Sequence, residues 1–210
     1  MNTIITIGRQ YGSGGRELGQ ILAKKLGIDF YDEELVTMAA EKNNMHRDIL
    51  RAVDEKATKS LLYTLVTGSD LRFMNSPVHY EMPINDKLFI TQSEIIKNLS
   101  EKGSCVIVGR CADYVLRDSQ QHCLHLFIYA DLDKRIERIS KKYDLTPEKA
   151  KEKITKIQKS RKSYYNYYTN REWGNVTNYD LCVNTGVLGL DKTADLLVEF
   201  VKKATEKTDK

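Results

Sequence analysis

Proline is scarce in this chain of 210 residues, with three in all, and tryptophan occurs once. The four cysteines (Cys105, Cys111, Cys123 and Cys182) include no CxxC pair. Three of them sit in apolar runs and read as buried thiols, which argues against a zinc site or a disulfide framework. No apolar stretch approaches the roughly 18–20 residues of a membrane span, and no charged-then-apolar leader opens the chain. The expectation is a cytoplasmic protein with no membrane partner. An excess of one charge is missing too: 33 basic residues face 29 acidic ones, for a formal net charge of +4. That balance is too mild to mark a nucleic-acid-binding protein, and the basic and aromatic residues gather in one region with no known binding motif. What remains, 41% hydrophobic and 30% charged residues, suits a globular domain of α/β size.

Five short apolar runs, Ile4–Ile7, Phe30–Tyr31, Cys105–Val108, Leu124–Tyr129 and Leu181–Val183, are β-branched or aromatic and do not alternate with polar residues. Strands covered on both faces have this pattern. Helical spacing separates them: Leu18, Leu22 and Leu26 before Gly27; Leu132, Ile136 and Ile139; Leu190, Ala194, Leu197 and Val201. Strands alternating with helices predict an α/β fold with a five-stranded parallel sheet between helical layers. The tail after Lys202 is expected to fray. Two regions break the alternation. Residues 44–100 hold two helical stretches around an irregular segment, Gly68–Asp86, and residues 144–178 are rich in Lys, Arg and Tyr without a strand. Both read as insertions that cover a ligand.

The chemistry starts in ITIGRQYGSGGREL, residues 5–18. A strand, a glycine cluster and a helix start place backbone N–H groups around an anion, with the helix N-terminus adding its partial charge. The common form is GxxxxGK followed by Ser or Thr. With Gly14 as the second glycine, Arg9 falls at the first, Gly15 at the lysine and Arg16 at the hydroxyl residue. Shifted by one, Arg16 falls at the lysine and Glu17 at the hydroxyl residue. The lysine is absent in either register, and so is the hydroxyl group that usually meets magnesium. Arginine keeps the charge and adds a bidentate fork. Gly15 has no side chain, Glu17 has the wrong sign and Arg9 precedes the turn, so Arg16 is the expected substitute.

Further segments follow in order: FYDEEL at 30–35, VIVGRCADYVLRD at 106–118, IYADLDKRIERI at 128–139, SRKSYYNYYTNREWG at 160–174 and NYDLCVNT at 178–185. With the glycine loop they resemble the cytidylate kinase-like family of P-loop nucleoside monophosphate kinases, over nearly the whole chain. The resemblance implies a three-layer P-loop kinase fold in one domain, with residues 44–100 as an acceptor-binding insertion and 144–178 as a lid. It implies ATP and Mg2+, small nucleotide substrates, and transfer to a nucleoside monophosphate, CMP or dCMP foremost. Gly12, Ser13, Gly14, Gly15, Arg16 and Glu17 would then bind ATP. Asp32, Arg110 and Asp113 would bind the acceptor, although Asp32 also suits a helix N-cap, and Asp113 comes later than the acid of the usual GRD element. Arg135 and Arg138, three apart on one helix face, and Arg161 beside the tyrosine run would close on the transferred group with Arg16. A solvated face paired with Asp131 or Glu137 is the alternative for the first two. His122 and His125 flank Cys123 on a strand, where neighbours point to opposite faces, so they read as structural. Other readings of the whole are a nucleotide-binding regulator without catalysis, or a kinase of another small acceptor. A homodimer is left open.

Overall fold

The structure is a computed structural model that describes residues 2–32, 35, 37, 38 and 84–206. Five strands form one parallel sheet: β1 (Thr3–Arg9), β2 (Asp29–Tyr31), β3 (Cys105–Val108), β4 (His122–Tyr129) and β5 (Leu181–Asn184), in the order β2-β3-β1-β4-β5. The lack of polar alternation has a direct cause. Ile4 packs with Cys105 and Ile107 under one helical layer, while Ile5 and Ile7 pack with Val106, Val108 and Leu126 under the other. All of these residues are buried, so each strand is apolar on both sides.

The first layer holds α2 (Ile84–Lys102) and α3 (Ala112–Val115), through Leu88, Ile95, Ile96, Leu99 and Ala112. The second holds α1 (Gly15–Leu26) and α6 (Thr185–Glu206), which present Leu18, Leu22, Ala194, Leu197 and Val201. Removing such side chains from water is the main stabilising contribution, at about 1.5–3 kcal/mol for each large one. The helix after β4, α4 (Leu132–Tyr143), and the long α5 (Pro147–Thr169) pack together through Ile139, Ala150 and Ile154, with Tyr11 against them. Thr146 caps α5 and Pro147 opens it, where a missing N–H costs nothing.

The C-terminal half of α5 lies against α2. The Tyr168 ring stacks on Phe89 at 4.1 Å, and its hydroxyl donates to Asp86 at 2.8 Å. Because every strand is parallel, the loops that leave the strands meet at one edge, where open α/β sheets bind ligands.

Two expectations shift. α2 begins at Ile84, inside the segment read as irregular, and Asp86 lies in its first turn. The C-terminal helix runs past Lys202 to Glu206, because buried Val201 anchors it and the Thr205 hydroxyl donates back to the Val201 carbonyl at 3.0 Å. Most of the expected acceptor insertion, residues 44–83, lies outside the described residues. Residues 144–178 contain α5 and the short 3-10 turn Val176–Asn178, with no strand among them.

Candidate functional site

The glycine loop is held from both ends. After Arg9 pairs with Ile128, the Gln10 N–H donates to the Ile128 carbonyl at 2.9 Å. The Ser13 hydroxyl donates to the Gln10 carbonyl at 2.9 Å, and the Thr185 hydroxyl donates to the Ser13 carbonyl at 2.6 Å. Gly12 (φ 86°) and Gly14 (φ 78°) take the left-handed conformation this turn requires. Gly14 is also the N-cap of α1, and no side chain caps the helix there. The first-turn amides of a 12-residue helix therefore meet a glycine-lined turn, an arrangement suited to an anion.

Beside the loop is an arginine cluster around one buried carboxylate. Asp32, 5% exposed, accepts from Arg9 Nη2 at 3.3 Å and from Arg16 Nε at 2.9 Å. Arg161 reaches in from α5, donating through Nη1 to the Arg9 carbonyl at 3.0 Å, with its guanidinium 5.4 Å from the centre of the Tyr11 ring. Burial first, then the neighbouring Arg9 charge, push Arg161 down to about 9, and Arg110 acts in the same direction. Arg161 stays charged at neutral pH. Arg110 follows β3 in a turn where Gly109, Arg110 and Cys111 are all left-handed, at φ 77°, 54° and 55°.

On the other side of the loop, Arg138 pairs with Glu17, and Lys142 also reaches Glu17 at 3.1 Å. Burial alone would raise the Glu17 carboxyl, but the bonds from Arg138 and Lys142 outweigh it and hold it below the usual range. Arg138 lines a cleft of about 250 Å³ with Gly12, Ser13, Lys134, Thr185 and Gly186. Arg135 lies beneath the loop. Its Cβ sits 3.0 Å from where a Cβ on Gly12 would stand, its Nε donates to the Ala130 carbonyl at 2.9 Å, and its Nη1 is buried with no hydrogen-bond partner.

The fold thus brings Gly12, Ser13, Gly14, Gly15, Arg16 and Glu17 together with Asp32, Arg110, Arg138 and Arg161, and sets Arg135 under the loop. Asp113 is directed elsewhere. It is buried and accepts from the Tyr165 hydroxyl at 2.6 Å, and burial raises its carboxyl above the usual range. His125 bonds Thr6 through Nδ1 at 2.8 Å, an internal sheet contact. Among the described residues no three His, Cys, Asp or Glu side chains are grouped to hold a metal ion.

Arg9 was passed over in the sequence because it precedes the turn. The signal that finds it is the two-residue period of β1, which places Arg9 with Ile5 and Ile7 on the face that α1 covers.

Known proteins share the fold and are similar over most of the sequence. A cytidylate kinase from Methanobrevibacter smithii is 27% identical over 199 residues, which cover 95% of this chain and 98% of the relative. A solved structure of a protein from Eubacterium ventriosum is 27% identical with a TM-score of 0.68, covering 95% of this chain and 98% of the other. A gluconokinase structure from Sinorhizobium meliloti shares the fold at 13% identity, with a TM-score of 0.57 and coverage of 99% and 95%. Residues 4–187 match the cytidylate kinase-like family as a whole, and the chain belongs to that family.

Proposed function

We propose that the protein transfers the γ-phosphoryl group of ATP to the phosphate of a nucleoside monophosphate, with CMP or dCMP as the favoured acceptor. The observation that carries this reading is the convergence of a glycine-lined helix N-terminus with Arg9, Arg16, Arg110 and Arg161 beside the buried carboxylate of Asp32. Guanidiniums held this close repel one another, and bound phosphate would relieve that repulsion. The relatives named cytidylate kinase support the choice of acceptor.

In the reaction an acceptor phosphate oxygen attacks the γ-phosphorus, and the bond from that phosphorus to the β-γ bridging oxygen breaks. ADP leaves with that oxygen, and the acceptor becomes a diphosphate. The loop amides of Gly12 to Gly15 hold the donor phosphates, with Arg16 and Glu17 at the helix start. Arg138 borders the donor side, and Arg161 projects from the lid helix toward the moving charge. Arg110 and Asp32 face the acceptor. Positioning and cationic stabilisation supply most of the acceleration. Mg2+ would enter on the phosphates of ATP, which it binds with retained waters, and would neutralise their developing charge. Both oxygens of Asp32 meet arginines.

The test is ADP release across a panel of nucleoside monophosphates and small hydroxylated metabolites, with and without Mg2+. Turnover with CMP or dCMP above the other acceptors supports the reading. Tight ATP binding without turnover on any acceptor would leave a nucleotide-binding regulator instead.

A further inference from the structure

We propose that Arg9 holds the terminal phosphates of the bound nucleoside triphosphate, from the volume that a lysine at position 15 would otherwise fill. The inference rests on reading the site as a phosphoryl-transfer centre and adds a residue to it. Its basis is steric. A Cβ on Gly15 would stand 2.6 Å from Arg9 Cβ, 3.1 Å from Arg9 Cγ and 3.2 Å from Ile128 Cβ. Gly15 is the first residue of α1 and has no left-handed backbone, so its conformation would accept a side chain. What excludes one is Arg9. The absent lysine and the arginine six positions earlier are therefore two aspects of one packing arrangement.

The course of the Arg9 side chain points the same way. It crosses from the end of β1 to the turn after β3, where a Cβ on Gly109 would overlap its Nη1. Glycine at 109 thus leaves room for the guanidinium, just as glycine at 15 leaves room for the stem. The far end is oriented by Asp32 through Nη2 at 3.3 Å, and the backbone is fixed by sheet pairing and by Arg161 on its carbonyl at 3.0 Å. Arg9 is 20% exposed, while Arg16, bonded to the other Asp32 oxygen through Nε, is 43% exposed. Arg9 therefore sits between the loop amides and the acceptor turn, and Arg16 sits at the mouth. A planar guanidinium between donor and acceptor can contact two phosphate oxygens through parallel N–H groups in a fixed fork, a geometry that an ammonium does not offer.

The experiment compares Arg9→Ala, Arg9→Gly, Arg16→Ala and the double variant Arg9→Gly with Gly15→Lys. Each is titrated with ATP by calorimetry, assayed for ADP release with the best acceptor, and checked by thermal unfolding. Loss of a positioned cation in such a centre costs about a hundredfold or more in kcat, so Arg9→Ala should fall by that factor and bind ATP more weakly. Arg16→Ala should fall less than tenfold. The double variant should recover at least tenfold over Arg9→Gly, because removing the Cβ at position 9 opens space for a lysine on α1. A purely structural arginine would not be rescued by a lysine on another element. Unchanged ATP affinity in folded Arg9→Ala overturns the proposal, and so does a double variant no better than Arg9→Gly. If the wild type binds ATP but transfers to no acceptor, the kinase reading falls, and the ATP affinities of the same variants still decide the role of Arg9.

Discussion

Two strand-to-helix turns lie side by side at the binding edge, one after β1 and one after β3, and they solve the same backbone problem differently. Both need left-handed residues to reverse into a helix. The first places glycines there, Gly12 and Gly14, and exposes bare amides. The second uses one glycine and then forces Arg110 and Cys111 into the same region, at roughly 1–2 kcal/mol of strain per residue. A turn that binds through backbone can dispense with side chains. A turn that must present a guanidinium cannot, and it carries the strain. In the proposed reading the first turn serves general phosphate binding and the second a directed side-chain contact.

The heaviest blow to that contrast is Gly14→Val. It forces a branched residue to φ 78° and sets its Cβ 2.8 Å from Leu190 Cδ2 and 3.0 Å from Arg138 Cζ. ATP affinity should drop by about a hundredfold, and urea unfolding should show a loss of about 2–5 kcal/mol from strain and overpacking. A folded variant that binds ATP normally would break the assignment of the first turn.

Arg110→Ala comes next. A charged hydrogen bond contributes about 1.5–3 kcal/mol, so the acceptor's KM should rise about 10- to 100-fold while the KM for ATP holds within about twofold. Steady-state kinetics with both substrates varied reads the two separately. A rise confined to ATP would move Arg110 to the donor side.

Asp113 and Tyr165 anchor the helix that follows the second turn, and here the expected signature is pH dependence. Burial raises the folded-state carboxyl above its unfolded value. The fold therefore favours the protonated form, and the stability this contributes is lost as pH rises through the folded value. Asp113→Asn should gain on the wild type in thermal unfolding between about pH 4, near the unfolded carboxylate value, and pH 7. A constant difference across that range would show that burial of this charge is not what perturbs the helix.

The smallest effect sharpens the comparison most directly. Arg110→Gly relieves roughly 1–2 kcal/mol of left-handed strain but restores about 0.5–1 kcal/mol of unfolded-chain freedom. It should therefore exceed Arg110→Ala in stability by about 0.5–1 kcal/mol in urea unfolding. Equal stabilities would mean that the second turn is not strained.

The sequence was most informative where burial alone sets the pattern. Cys105–Val108 appears as a strand at its expected limits, because a strand covered on both faces must be apolar throughout, and the half-buried edge strand at Phe30–Tyr31 gains only Asp29. The outcome was poorer where a long-range partner sets the structure. β1 continues through Gly8 and polar Arg9 because both pair with β4, and no local property of those residues signals this. Once the strand is extended, Arg9 enters the site, so a boundary error of two residues concealed a central cation. Arg16 illustrates the reverse. Its charge and place at the helix start were evident, but its bond to Asp32 depends on where β2 ends. Asp113 was read through a motif, whereas its direction is set by Tyr165, 52 positions away.

The bond from Thr185 to the Ser13 carbonyl joins positions 172 residues apart. Its consequence concerns synthesis on the ribosome. The glycine loop leaves the exit tunnel long before residue 185, at synthesis rates of about 5–20 residues per second, and it lacks this tether until β5 and the start of α6 have been made. Leu190, which packs against Gly14, arrives later still. The growing chain can therefore complete its nucleotide cradle only after residue 190 has emerged. A ribosome-bound fragment ending before residue 181 should not be captured by ATP, which separates folding in time from the onset of binding.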